Sequence, residues 1–329
     1  MTLDVVIPTL NRCNLLAAAI DSLLAAPRPG DLHVTVTVVD NGSSDNTRAV
    51  AERAASSPSR PVRYLLEATR GQAHALNSGI AATRGELVGL VDDDETVGES
   101  WYSAVWREFQ DPGIDFIGGP YIPALAAPPP AWLPRHKVGV VGWSELSPTR
   151  KRYGDELPGA SLGGGNAVMR RSLLDRVGPY RTDLRGHHDT EMFDRFLSSG
   201  AHGVYVPDLF IHHHIPASRL QKSYFRRWVW TAGLAYACMG KEEPRSVLGI
   251  PAHAVRKVGE RALRTSIEYC TRPSGVAAFE AELDFRNSVA FACGCFQYRN
   301  QRRLALHRGG QRTAGPAERA GAAVQKPAK

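Results

Sequence analysis

Four acidic residues in a row, Asp92, Asp93, Asp94 and Glu95, follow directly on the apolar run "GELVGLV". Such a run reads as a buried strand, and α/β proteins place their ligands beyond the carboxyl ends of strands. Like charges gathered there repel one another unless a cation offsets them. The hard oxygen donors of Asp92, Asp93 and Asp94 suit Mg2+ or Mn2+, and a cation so held can bridge to the phosphates of a nucleotide. Two earlier segments end in residues with the same reach. "VVIPTLNR" (5–12) carries Thr9 and Arg12, and "VTVVDNGSSDNT" (36–47) carries Asp40 at the tip of a second apolar run. Asp40 suits a base N–H or a ribose hydroxyl, and it equally suits a plain turn. Arg70 and Arg84 are expected near the same edge, where they would add positive charge. Asp189, in "HHDTEMFDRF", can serve as a base toward a hydroxyl or as a first-turn helix acid, and the residues alone leave both readings open. In "IHHHIP" a strand would put His212 and His214 on one face and His213 on the other. No Cys or carboxylate at ligand spacing accompanies them, which argues against a structural zinc site.

The elements that must position these residues alternate. Strands are expected at Leu3–Pro8, 33–40, 61–67 and across "GELVGLVDDD", with helices at Asn14–Leu24, Thr47–Ala55 and Gln72–Ala82 between them. Asn11 or Asn14 is the expected cap of the first helix, and Ser44 or Asp45 that of the second. This alternation implies a mostly parallel sheet covered by helices. Beyond Asp94 the pattern predicts a helix over Ser100–Phe109, a strand in "IDFIGGPYIP", and a Pro-rich loop over a binding site at 124–137. A Gly-rich turn leading into a helix is expected at 159–178, a helix at 187–200, one strand across "GVYVPDLFIHHH", and helices through 218–300.

Bulk composition bounds the rest. The 329 residues suit a large α/β domain with an appendage, or two domains. Net charge is +7, and the stretch 301–329 holds seven Lys/Arg against one Glu, so most of the excess sits in a tail that reads as disordered. Five cysteines at irregular spacing read as reduced thiols. The chain opens straight into a strand without a leader, and no run of about 18 apolar residues marks a membrane span. A cytoplasmic protein is expected, with room for peripheral contact at the inner membrane face.

Several segments in order resemble the family 2 glycosyltransferases of GT-A fold: "VVIPTLNR" (5–12), "VVDNGSSDNT" (38–47), "ALNSGIAATRGELVGLVDDDE" (75–95), "GGGNAVMRRSLLDRVGPY" (163–180), "HHDTEMFDRFLSSG" (187–200) and "IHHHIPASRL" (211–220). Together they cover about residues 3–220. The resemblance implies a Rossmann-like, mostly parallel sheet flanked by helices with a helical C-terminal extension. It divides the chain into a catalytic domain at 1–220 (a nucleotide-sugar half to about 98 and an acceptor half from 99), helices at 221–300 and a basic tail at 301–329. It further implies that Pro8, Thr9 and Arg12 line a nucleotide pocket, that Asp40 binds the base, and that Asp92 and Asp94 are the outer residues of an Asp-x-Asp motif. Asp94 would be the metal ligand, Asp92 would lie nearer the ribose, and Asp93 fills the variable position. Gly165 and Asn166 match an acceptor-side turn, Asp189 the general base, and His213 a histidine that reaches the metal or diphosphate. The chain departs at His188, where the family usually has Glu, at Leu76, where many members have Arg, and at Gln72, in place of a common basic residue. His187 or His188 would then tune the base or bind acceptor.

The implied activity is metal-dependent, inverting transfer from a nucleoside-diphosphate sugar to an acceptor hydroxyl, in polysaccharide, glycolipid or related synthesis. A sugar-phosphate nucleotidyltransferase would normally carry a Gly-rich basic loop after the first strand, where this chain has "PTLNRCN". A degenerate nucleotide-sugar-binding scaffold is the remaining alternative. The mix of arginines and aromatic residues at 219–240 suits either an anionic membrane surface, and so a lipid-linked saccharide acceptor, or packing on the catalytic domain. No nucleic-acid module is visible, so nucleic acid is not an expected partner.

Overall fold

The computed structural model describes residues 1–56, 61–184, 186–240, 246–247 and 250–312. The apolar, β-branched run at the start forms β1 (Thr2–Thr9), buried at every position after the first. α1 (Cys13–Ala25) then packs Leu16, Ala19, Ile20 and Leu23 onto the sheet. β2 (His33–Asp40), α2 (Thr47–Ala55), β3 (Val62–Leu66), α3 (Gln72–Ala82) and β4 (Leu87–Val91) complete the alternating half. β1 pairs in parallel with β2 on one side and with β4 on the other, and β2 pairs in parallel with β3. The strand order reverses at β1, so a crevice opens beyond the carboxyl ends of β1 and β4.

The chain then leaves the sheet through the acidic turn into β5 (Glu95–Val97) and α4 (Trp101–Glu108). It returns through β6 (Phe116–Gly118), β7 (Tyr121–Leu125), β8 (Lys151–Arg152), β9 (Asn166–Arg170), α5 (Arg171–Val177), α6 (His188–Ser198), β10 (Gly203–Tyr205) and β11 (Ile211–Ile215). The main sheet has the order β3-β2-β1-β4-β9-β6-β10-β8, and a small sheet, β5-β11-β7, stands beside it. The expected α/β class holds, with β9 running antiparallel between β4 and β6.

Three expectations are corrected. Between the Gly-rich turn and α5 lies β9, which the sequence reading absorbs into turn and helix. "NAVMR" is too short for its period to declare itself, and both its hydrogen-bond ladders come from distant strands. The single strands expected in "IDFIGGPYIP" and "GVYVPDLFIHHH" are each two strands in different sheets. Pro120 and Pro207 lie at the breaks, where a missing N–H costs no ladder bond. Neither Asn11 nor Asn14 caps α1. Asn11 Oδ1 accepts the Ser44 backbone N–H instead, while Asp45 accepts the N–H groups at the starts of both α1 (Cys13) and α2 (Thr47).

The C-terminal part is helical: α7 (Lys222–Met239), a short hairpin of β12 (Ser246–Val247) and β13 (Ile250–Pro251), α8 (Ala252–Thr271) and α9 (Val276–Arg312). α9 runs to Arg312, so the stretch read as a tail from 301 begins inside a helix, and 313–329 lie outside the described residues. α7 turns Phe225, Val229, Ala232 and Ala235 inward against α9. The packing reading of 219–240 therefore describes most of that face. The Pro-rich segment is also anchored: Trp132 sits edge-on between Phe225 and Phe279, ring centroids 5.2 and 5.1 Å away. Glu282 of α9 ties the helices together. It accepts from Arg226 of α7 at 2.7 Å, from Tyr269 of α8 at 2.7 Å, and from Arg286 at 2.6 Å.

Burial works against the Glu282 charge, but these three donors outweigh it and hold the carboxyl down at about 2. Its stabilising contribution is therefore full above the ordinary glutamate value and is lost as pH falls from there toward the folded value. Glu282→Gln is expected to cost about 2 kcal/mol at neutral pH in chemical unfolding. The difference from the wild-type chain should shrink steadily as pH is lowered through that window.

Candidate active site

The acidic turn joins the two sheets. β4 delivers Asp92 to the crevice, and the chain then swings so that Glu95 begins β5. Each carboxylate has its own environment. Asp93 is buried, accepting from Thr9 Oγ1 at 2.8 Å and from Arg12 Nη1 at 2.8 Å. Asp94 is buried too, and its Oδ2 gathers Arg12 Nη1 at 3.0 Å, Arg219 Nη2 at 2.9 Å and His213 Nε2 at 3.6 Å. Asp92 faces the crevice half-buried, with Gln72 donating to it at 3.2 Å. Glu95 is buried and folds back to accept the Asp92 backbone N–H at 2.9 Å.

The charges divide accordingly. Burial, then the charges of Asp94 and Asp93, push Asp92 up to about 7. Burial and the Asp92 charge raise Glu95 well above the usual range. Burial also opposes ionisation of Asp94, but the imidazole and the two guanidinium groups prevail and hold it at about 2. So the turn keeps one firmly ionised carboxylate and two that ionise readily only beside added positive charge.

The small sheet places the histidine. β11 pairs antiparallel with β5, setting His213 opposite Glu95. The alternation expected of the three histidines holds, with His213 inward and buried, His212 exposed and His214 half-buried. The Gly142 carbonyl accepts from His213 Nδ1 at 2.9 Å, so that nitrogen carries the proton. Nε2 lies 2.8 Å from Arg219 Nη1, on the side of the ring that faces Asp94. Gly142 has φ +79, and a Cβ there would overlap the imidazole at 2.3 Å. Asp94, Glu95 and His213 bring one donor atom each within 4.8 Å of one another. Two carboxylates and an imidazole whose far nitrogen is hydrogen-bonded make a donor set that fits Mg2+ or Mn2+.

Other expected residues divide. Pro8 and Thr9 are buried at the end of β1, and Thr9 is in register with Asp40 at the end of β2. Asp40 is buried, holding the Ser43 N–H at 2.8 Å and the Tyr64 hydroxyl at 3.1 Å, so it shapes the turn whatever else it does. Arg70 is exposed at the same edge, beside Gly42. Arg84 is not at this edge. It precedes β4, at the strand's opposite end, and donates to the Ala81 and Thr83 carbonyls at the end of α3. The sequence reading misplaces it because a strand carries its two ends to opposite edges of a sheet.

On the facing wall the Gly-rich turn meets α6. Asp189 lies in the first turn of α6, close to Gly164, and its charge helps raise Asp92 and Tyr180. Gly165 faces Glu95 so closely that a Cβ would lie 2.4 Å from the carboxylate. Asn166 is fully buried, accepting from the Trp101 indole at 2.9 Å and donating to the Leu209 and Pro120 carbonyls at 2.7 and 3.3 Å. Its side chain is a structural clamp with no face toward an acceptor. His188 packs edge-on to Tyr180, and His187, at φ 57, lies against Trp228 and Tyr236 of α7. Burial lowers the pKa of both histidines.

Sequence reasoning missed Glu95 as a ligand candidate and Arg219 as a partner of Asp94. Glu95 was visible as the fourth acid of the turn. Arg219 follows the last strand on a short 3-10 turn, and no spacing ties it to a residue 125 positions earlier.

A sheet whose strand order reverses beside a carboxylate turn, faced by a second acidic wall, is the architecture of a GT-A-type sugar transferase. The fold is similar to that of mannosyltransferase PcManGT from Pyrobaculum calidifontis, solved in complex with GDP-Man and Mn2+ (TM-score 0.55, 21% identity, 95% of this chain and 80% of that one). Residues 4–178 match the sequence profile of glycosyl transferase family 2, and the chain belongs to that family. Among curated relatives it is 28% identical over 206 residues to succinoglycan biosynthesis protein ExoU of Rhizobium meliloti. That match takes in 60% of this chain and spans only 57% of ExoU. It is 23% identical over 254 residues to ExoM of the same organism, 75% of this chain and 76% of that protein.

The Asn166 clamp is open to test. Asn166→Ala orphans the Trp101 N–H and takes the amide donor from the Leu209 and Pro120 carbonyls, of which Pro120 keeps the Ile211 N–H, and should cost about 3 kcal/mol in chemical unfolding. Acceptor KM per folded molecule should stay unchanged, and a selective rise in it would mean the side chain meets acceptor.

Proposed function

We propose that the chain moves a sugar from a nucleoside-diphosphate sugar to an acceptor hydroxyl with inversion at the anomeric carbon. The observation that carries this reading is the convergence of Arg12, Arg219 and His213 on one oxygen of Asp94, at the switch point of the sheet. Asp94, Glu95 and His213 would hold Mg2+ or Mn2+, which when bound supplies positive charge to the leaving diphosphate. The two guanidinium groups have the flat, forked donor geometry that suits phosphate oxygens as well as carboxylates. Pro8, Thr9, Asp40 and Arg70 bound the nucleoside end, and Asp92, with Gln72, lies toward the ribose. Asp93 fixes Arg12 and Thr9 in place.

Asp189 takes the hydroxyl proton as the new bond forms. Its carboxylate accepts no hydrogen bond from another described side chain, which leaves its lone pairs for a substrate. Attack from the face opposite the leaving group then needs no protein nucleophile. His188 and Gly165 lie on the acceptor side. The domain reading follows the same division: residues 1–220 carry donor and base, and the helices from 221 add a wall through Trp228 and Tyr236. Two relatives named for succinoglycan biosynthesis support a saccharide acceptor. Among the described residues no helix is long and apolar enough to cross a membrane.

Calorimetry with UDP, GDP, dTDP and CDP, each with Mn2+ and with EDTA, tests the donor half. One nucleotide is expected to bind only with metal, and Asp94→Ala should abolish that binding. Absence of metal-dependent binding for all four would turn the site into a degenerate scaffold. Arg219→Gln should weaken nucleoside diphosphate binding by about tenfold or more. Asp189→Asn should leave that affinity intact while lowering kcat by about 100-fold or more. An equal loss of donor affinity in Asp189→Asn would remove its assignment as base.

A further inference from the structure

Helix α8 carries its large apolar residues on the outside. Val255, Leu263 and Ile267 are 52, 64 and 53% exposed. With Gly259 they form an unbroken series spaced by four residues, one ridge along the helix. A helix of a globular protein ordinarily turns such a ridge to the core. Of the twenty residues of α8, all described, only Ala254 is buried. The ridge is continued sideways by an apolar groove of about 290 Å3 between α8 and α9, lined by Val258, Val289, Ala292 and Phe296.

The charges beside this surface have one dominant sign. Between 252 and 272 there are five basic residues and two acidic ones. Arg256, Lys257 and Arg264 are exposed. Arg256 pairs with Glu260 at 3.5 Å across open surface, and Arg264 reaches Asp284 at 3.6 Å, both loose contacts that leave the guanidinium groups wet. Arg261 is turned inward to the Asp284 carbonyl. Two copies meeting on this ridge would bring like charges together, which disfavours self-association. A nucleic-acid backbone would match the charge but offers nothing to the ridge. An anionic bilayer surface matches both.

We propose that α8 is an interfacial helix that seats the protein on an anionic lipid bilayer. Val255, Leu263 and Ile267 enter the headgroup–acyl boundary, and Arg256, Lys257 and Arg264 meet lipid phosphates. This places membrane contact on α8 rather than on α7, whose aromatic face is largely taken up by packing. The surface shares no residue with the acidic turn, so the proposal stands apart from the glycosyl-transfer reading.

The test is flotation of the full chain with vesicles of phosphatidylcholine alone and of phosphatidylcholine with an equimolar amount of phosphatidylglycerol. Binding is expected only to the anionic vesicles, and it should weaken as salt is raised. The double variant Leu263→Gln, Ile267→Gln should lose at least about tenfold in vesicle affinity. Its circular dichroism should match wild type, since both side chains are exposed. The triple variant Arg256→Gln, Lys257→Gln, Arg264→Gln should lose the response to phosphatidylglycerol. The proposal is overturned if the wild-type chain does not float, or if the Leu263/Ile267 variant floats equally well. It is also overturned if that variant only converts a dimer to a monomer in sedimentation while vesicle binding stays the same.

Discussion

Four consecutive acidic residues cannot all ionise in a half-buried turn without positive charge nearby, and much of the molecule is arranged around that constraint. The turn sits where the main sheet hands the chain to the small sheet. Arg12 comes from the loop after β1, His213 from β11 and Arg219 from the segment entering the C-terminal helices. Two parts of the chain far apart in sequence, the end of β1 and the stretch from His213 to Arg219, are thus held to one carboxylate. In a low-dielectric setting such a cluster is costly if any member is missing.

What could be read from the sequence follows from where the information lies. β1, β2, α3 and β4 announced themselves because a continuous apolar run or a helical period is local. The carboxylates at the strand ends followed from the same pattern, and the family of the chain from the order of its motifs. β9 did not announce itself. Five residues give no period, and its identity as a strand comes from neighbours about 50 and 80 positions away. Arg84 was misplaced for a related reason: nearness in sequence to an acidic motif says nothing about which edge of the sheet a residue occupies. Asn166 was found as part of a turn, but what its side chain does was not legible. Only the structure shows an indole and two carbonyls consuming its amide.

The C-terminal helices join the rest of the protein in two ways. Their hydrophobic cluster holds Ile215 of the small sheet together with Phe225, Val229, Phe279 and Leu283. Their entry turn supplies Arg219 to the acidic cluster. Arg219 is thus the side chain that reaches from this entry to Asp94, while α8 is held to the rest mainly through α9 and its link to Glu282.

His187, wedged against Trp228 and Tyr236, bears on how the protein can be divided. A fragment ending at residue 220 would keep every acidic group of the crevice, yet it would strip the aromatic backing from His187, at the entry to the helix that carries Asp189. The smallest piece worth producing for crystallisation therefore runs through α9, even though the family profile ends at residue 178. Chimeras that exchange the C-terminal helices between relatives should likewise keep α7 together with the α6 entry loop, because the two were fitted to each other.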